Sequence, residues 1–244
     1  MGGITTAVVL DRVSDDASVS ASDLDWSTYP GYDSTEFEDL SEGRSQEEII
    51  AADTAMLDEI RAAITEEAGL DWLSYGSELV IPQKNAWDGP SMLNNWNSAP
   101  WYSVDPLTGV AAKRVVVDRV STILEENGYE TIGLANDPAT FGGDDELLRR
   151  LYGGTTLETQ VVWVLDANRF DGSFSSFELR ITDLAQDVDG EFAERAEGRE
   201  SIGIIPVNSI VIEAKGYQLL PADERDEYIS RAEPFEGHEP PPAR

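Results

Sequence analysis

From residue 45 to residue 69 the apolar positions recur with a helical period. Ile49, Met56, Ile60 and Ile64 mark one stripe, Ile50 and Leu57 widen it, and mostly Asp, Glu, Thr and Ala stand between. The stripe opens on Ser45-Gln46-Glu47-Glu48, a capping box in which the Ser hydroxyl reaches the amide three residues on and Glu48 reaches back. It closes at Gly69, so the pattern predicts a buried amphipathic helix. Val116, Val120 and Ile123, flanked by Val117 and Leu124, predict a second helix from about Val110 to Asn127, stopped at Asn127-Gly128. A short helix is expected from Asp144 to Tyr152, with acids at its start and Gly153-Gly154 at its end.

The period changes elsewhere. Leu70 to Leu73 and Glu78 to Ile81 read as short strands, the second ended by Pro82, and Tyr129 to Leu134 reads as extended. Leu157, Thr159, Val161, Trp163 and Leu165 alternate with their neighbours, as do Phe177, Leu179 and Ile181. This predicts an antiparallel hairpin with a long loop from Asp166 to Ser173 that contains Asp171-Gly172. Acidic residues 187–200 read as a loop, and Ile202 to Tyr217 as one broken strand or two short ones around Pro206. The expected fold is α+β: a two-layer sandwich over residues 45–220, with two main helices packed on one mainly antiparallel sheet. Residues 1–44 read as an acidic flexible tether, although Trp26, Tyr29, Tyr32 and Phe37 imply that part of it lies against the domain. Residues 221–244 read as a polar Pro-rich tail.

Composition narrows the chemistry. The chain has 244 residues, 48 Asp and Glu, a formal charge of −31, no Cys and a single His, His238. Its only lysines are Lys84, Lys113 and Lys215. One imidazole near the end excludes Ser-His-Asp and Cys-His mechanisms and His-based metal sites. The absence of thiols excludes disulfides, zinc clusters and iron–sulfur sites. Residues 1–60 hold 15 acids against Arg12 and Arg44, whereas residues 69–186 hold 17 acids against 8 bases, so the excess is concentrated outside the domain. Such a charge repels phosphate backbones and anionic head groups, which argues against nucleic acid and membrane surfaces and in favour of cations, basic proteins or neutral ligands. Depleted Lys suits either a halophilic cytoplasm or an extracytoplasmic protein of a GC-rich bacterium. No run approaches the ~18 apolar residues that span a bilayer. The opening Met-Gly-Gly-Ile has no basic region and does not read as an intact signal peptide.

The densest chemistry lies in residues 85–102. Trp87, Trp96, Trp101 and Tyr102 stand there beside Asn94, Asn95 and Asn97. Flat aromatic faces with amide donors and acceptors suit a sugar or peptide platform. The same residues also suit a long loop that packs its rings on the sheet and caps its own turns with Asn. Paired carboxylates for glycoside hydrolysis carry no discriminating weight among 48 acids. The segments around Asp144 and Asp187 lack the 12-residue calcium alternation, and no phosphate loop is present, so no metal or cofactor is expected.

The order of parts is informative as well. An acidic tether leads to an amphipathic helix running into Ala68-Gly69-Leu70-Asp71-Trp72. A turn-rich segment follows, then the helix Val115-Val-Val-Asp-Arg-Val-Ser-Thr-Ile-Leu-Glu-Glu-Asn-Gly-Tyr-Glu and a terminal hairpin. This resembles LppA-type lipoproteins of mycobacteria and related small actinobacterial lipoproteins over roughly residues 45–184. The resemblance implies a cell-envelope location and carries over no activity and no site residue. The chain departs from that group in having no cysteines and no lipobox Cys.

The expectation is therefore a non-catalytic, secreted or surface-held domain, monomeric, that binds a cell-wall glycan, a peptide or a basic protein. The alternatives are an intracellular acidic antagonist of immunity type and a carboxylate-based carbohydrate-active enzyme.

Overall fold

The computed structural model describes residues 24–33, 37–142, 144–170, 174–197 and 206–243. The N-terminal 23 residues, the Asp171-Gly172 turn and the expected strand start at Ile202 lie outside the described residues. Mixed helix and sheet surround one open antiparallel sheet. In chain order the elements are α1 (Phe37–Glu42), α2 (Gln46–Ala68), β1 (Trp72–Ser74), β2 (Leu79–Lys84), β3 (Pro90–Asn97), β4 (Trp101–Ser103), α3 (Val110–Glu126) and β5 (Thr131–Leu134). They continue with α4 (Asp145–Tyr152), β6 (Val162–Phe170), β7 (Phe174–Thr182), α5 (Glu191–Glu197), β8 (Ile210–Leu219) and α6 (Arg225–Ala232).

Local signals set the two long helices. In α2 the Glu48 amide donates to Ser45 Oγ at 3.3 Å and the Ser45 amide to Glu48 Oε2 at 2.8 Å, while Gly69 terminates the helix at φ 68°. Helix α3 forms over the predicted span, but its N-cap Gly109 has no side chain to offer. The Gly109 amide donates instead to Asp183 Oδ2 at 2.9 Å, a cap delivered from the far end of β7.

The sheet runs β1-β4-β8-β7-β6-β5, with β3 also on β8 and β2 on β3. Strands β1/β2 and β3/β4 form one interrupted hairpin, because Trp72 pairs Ser103 and Leu79 pairs Asn97. The break between β3 and β4 is filled by Ser98, whose amide donates to Ala214 O and whose Oγ accepts from the Ala214 amide, both at 2.9 Å. The segment expected as an aromatic loop is thus the return limb of a hairpin. The expected long loop after Leu165 is likewise strand: β6 and β7 pair without a slip from Val162–Thr182 to Phe170–Phe174.

Helices α2 and α3 pack on one sheet face. Ile49, Met56, Ile60 and Ile64 meet Trp163, Leu165, Phe177, Leu179, Ile210 and Ile212 in the main core, with Val116, Val120 and Ile123 from α3. Two buried ion pairs tie this layer down. Asp53 of α2 meets Arg169 of β6 at 2.9 Å, and Lys113 of α3 meets Asp183 at 3.3 Å. On the opposite face Val162 and Val164 are covered by Tyr152, Leu184 and Phe192. Among the described residues that cover reaches only the β5–β6 end.

The chain ends are not free of this body. Trp26 and Tyr29 of the arm, Trp87 of the hairpin turn, and Tyr228 and Phe235 near the C-terminus are all buried in a second cluster. The tail expected to begin at residue 221 therefore contributes a helix, α6, and core side chains. Its polar composition concealed a few apolar anchors at helical spacing, Tyr228 and Ala232.

Candidate functional site

Strand pairing writes rows across the sheet face that the described residues leave open. Across β6, β7 and β8 the successive rows are Val164–Arg180–Val211, Asp166–Glu178–Glu213, Asn168–Ser176–Lys215 and Phe170–Phe174–Tyr217. Two rows extend onto the neighbouring hairpin, where Asn97 pairs Lys215 and Tyr102 pairs Val211. A cavity of about 170 Å³ lies over the middle rows, lined by Asp166, Asn168, Ser176, Glu178, Glu213 and Lys215.

Charge on this face is incompletely balanced. Lys215 Nζ meets Glu213 Oε1 at 2.6 Å and Arg180 Nη2 meets Glu178 Oε1 at 3.1 Å. The hydrogen bond that Lys215 donates to Glu213 raises Lys215 above its ordinary value. Asp166 forms no ion pair among the described residues, and burial, followed by the adjacent Glu178 charge, pushes its carboxyl above the ordinary 3.8. Carboxylates directly opposite each other across strands repel, so the row Asp166–Glu178–Glu213 is maintained at the expense of stability. Burial, with Asp166 as a further contributor, also raises the nearby Tyr152 phenol.

An aromatic ladder borders the cavity. Phe170 and Phe174 lie 5.1 Å apart between ring centroids, as do Phe174 and Tyr217, and each pair is tilted by 33°. The rings lean over one another, and Phe170, 60% exposed, leaves its outer side to solvent. Tyr102, Leu73, Leu79 and Ile81 continue the apolar surface of the same face through their pairings, and the last three are exposed.

The residues of the expected platform do not converge. Trp87 is 5% exposed inside the second cluster, and Trp96, 1% exposed, sits in the main core with its indole N–H on Glu78 Oε2 at 3.2 Å. Trp101 lies half-buried beneath the Arg61 guanidinium, 3.6 Å from the ring centroid. Asn94 bonds Gln46 Oε1 at 2.8 Å on the helix side, whereas Asn95 accepts from the Gln218 amide at 3.1 Å. Only Asn95, Asn97 and Tyr102 belong to the open face. The correction has a simple cause: in a strand, sequence neighbours point to opposite sides.

One sequence signal does mark the open-face residues. The alternation of β6 continues through Asp166-Ala167-Asn168-Arg169-Phe170, but a small residue and an arginine occupy its buried phase. Arg169 is only 3% exposed because Asp53 neutralises it and Ser175 Oγ accepts from it at 3.2 Å.

The two buried ion pairs lie away from this face, within packed core. Lys113 Nζ also donates to Gln160 O at 3.2 Å, and burial lowers its pKa against the pull of Asp183. Their geometry suits fastening helices to the sheet. Among the described residues no three or more Asp, Glu or His side chains are placed to hold a metal ion, and no helix is long and apolar enough to cross a membrane. No family model, curated protein or solved structure matches this chain.

Proposed function

We propose that this chain is a non-catalytic, extracytoplasmic partner-binding domain whose working surface is the open sheet face, and that its partner is a basic polypeptide. In this reading the fold serves as a two-layer sandwich: the helix layer fixes the strands, and the opposite face is left for the partner. The observation that carries the proposal is the Asp166–Glu178–Glu213 row over a cavity, bordered by the Phe170–Phe174–Tyr217 ladder. A lysine or arginine side chain matches both parts, laying its methylene stem along the rings and its charge against Asp166. The net charge of −31 adds long-range attraction for such a partner.

The test uses the full chain with two probes, a lysine- and arginine-rich peptide of about ten residues and a neutral chitin tetrasaccharide, followed by calorimetry. The peptide is expected to bind in low salt, to weaken steeply by about 0.5 M salt, where the Debye length has shrunk to about 4 Å, and to lose about tenfold in affinity in Asp166→Asn, roughly the value of one charge pair. Equal binding by wild type and by Asp166→Asn/Glu178→Gln, or salt-independent binding of the saccharide alone, would overturn the proposal. An intracellular acidic antagonist would use the same surface and is distinguished by nanomolar affinity for a toxin encoded beside it. A carbohydrate-active enzyme would use Asp166 as the acid beside Glu178, so glycoside hydrolysis abolished by Asp166→Asn would replace the non-catalytic reading.

A further inference from the structure

The second cluster contains a feature separate from the open face. Three segments distant in sequence meet there. Trp26 and Trp87 ring centroids lie 4.9 Å apart, Trp26 and Phe235 5.0 Å, and Tyr29 and Phe235 5.3 Å. Tyr29 stands edge-on to Trp87 at 5.9 Å. After the 3₁₀ turn Glu233–Phe235, the His238 amide donates to Phe235 O at 3.1 Å, and Gly237 takes φ 75°, a left-handed conformation that reverses the chain. The reversal brings Pro240-Pro241-Pro242 back to Trp87, whose indole N–H donates to Pro241 O at 3.0 Å.

A proline run offers carbonyls without amide donors of its own and holds an extended conformation before it binds. Aromatic walls with an indole donor aimed at such a carbonyl are the chemistry by which polyproline segments are recognised. The neighbouring Trp26, 4% exposed, has a buried indole nitrogen with no hydrogen-bond partner among the described residues. The cluster thus holds two indole donors, one of which meets a carbonyl of the tail. We propose that the Trp87 indole donor and the rings beside it form a binding site for an extended Pro-rich segment, occupied in cis by residues 240–242 and able to accept the same kind of segment in trans.

This inference is independent of the open face and is tested on the full chain. The perturbation is Pro240→Gly, Pro241→Gly and Pro242→Gly together, which keeps the backbone length but removes the preformed conformation. The readout is the Trp87 indole N–H resonance, assigned by its disappearance in Trp87→Phe. The probe is the synthetic peptide Glu-Gly-His-Glu-Pro-Pro-Pro-Ala-Arg, corresponding to residues 236–244. In the triple variant the resonance is expected to move, and the peptide is expected to return it at about millimolar concentration, the effective concentration that the tether supplies in cis. The same peptide with its prolines replaced by glycine should leave it in place. If the triple variant unfolds, Pro241→Gly alone with the same titration gives the same reading. An indole resonance unmoved by the substitutions, or unmoved by peptide raised to several times about millimolar, would show that the tail contact is packing only.

Discussion

Asp183 is expected to be worth more to this fold than the lysine it neutralises. Lys113 Nζ and Asp183 Oδ2 lie 3.3 Å apart and both side chains are fully buried. The carboxylate also accepts the Gly109 amide at 2.9 Å, capping α3, and the Ala185 amide at 3.2 Å, capping the 3₁₀ turn Leu184–Gln186. The ammonium has one further acceptor, Gln160 O at 3.2 Å. Lys113→Met leaves a buried carboxylate that keeps two amide donors, so its cost lies near the lower end of the range for breaking a buried pair, about 3 kcal/mol. Asp183→Ala leaves a buried ammonium and two orphaned amides, each of the latter carrying about 1–3 kcal/mol, which places it at or above about 5 kcal/mol. The combination Lys113→Met/Asp183→Ala removes the uncompensated ammonium and is expected to be no less stable than Asp183→Ala, a coupling of about 3 kcal/mol, at the upper end of the range for contacting residues. Urea unfolding at 25 °C measures all three. A double variant that pays the sum of the singles, or an Asp183→Ala milder than Lys113→Met, would refute this account.

Acidification supplies a second expectation. Burial raises the carboxyl of Asp53, despite Arg169, and that of Asp166, so both bind a proton more tightly folded than unfolded. Stability linked to them is absent above their folded pKa values and grows as pH falls through those values toward 3.8. Glu158, bonded by its own amide, is shifted down and acts in the opposite sense from an exposed position. The melting temperature should therefore rise as pH falls over the interval just above 3.8, with a shallower rise in Asp166→Asn, and a continuous fall through that interval would contradict it. A third expectation concerns Gly89, where an added Cβ would lie 1.6 Å from Ser27 O. Gly89→Ala is expected to cost about 3 kcal/mol, because no rotamer relieves an overlap with backbone, and to expose Trp26 and Trp87 to acrylamide quenching; unchanged quenching would show that the arm docks elsewhere.

The helices were legible because their signals are local. A capping box, a 3.6-residue stripe and a left-handed glycine lie within one stretch of chain, and α2 and α3 form over the spans these predict. The acidic charge and the lack of Cys and of all but one His likewise belong to the sequence alone. What tertiary structure decided was which residues share a surface. Trp87, Trp96, Trp101 and Asn94 look like one platform in sequence, but strand alternation and the hairpin turn send them to two buried clusters and the helix side. Asp166, Glu178 and Glu213 look unrelated in sequence, and only the register of β6, β7 and β8 sets them in one row. Lys113 and Arg169 carry no sequence sign of burial, because their partners, Asp183 and Asp53, stand 70 and 116 residues away. Side-chain period is set within a strand, but pairing partners are set by loop closure and packing over the whole chain, so proximity between strands has no local signature.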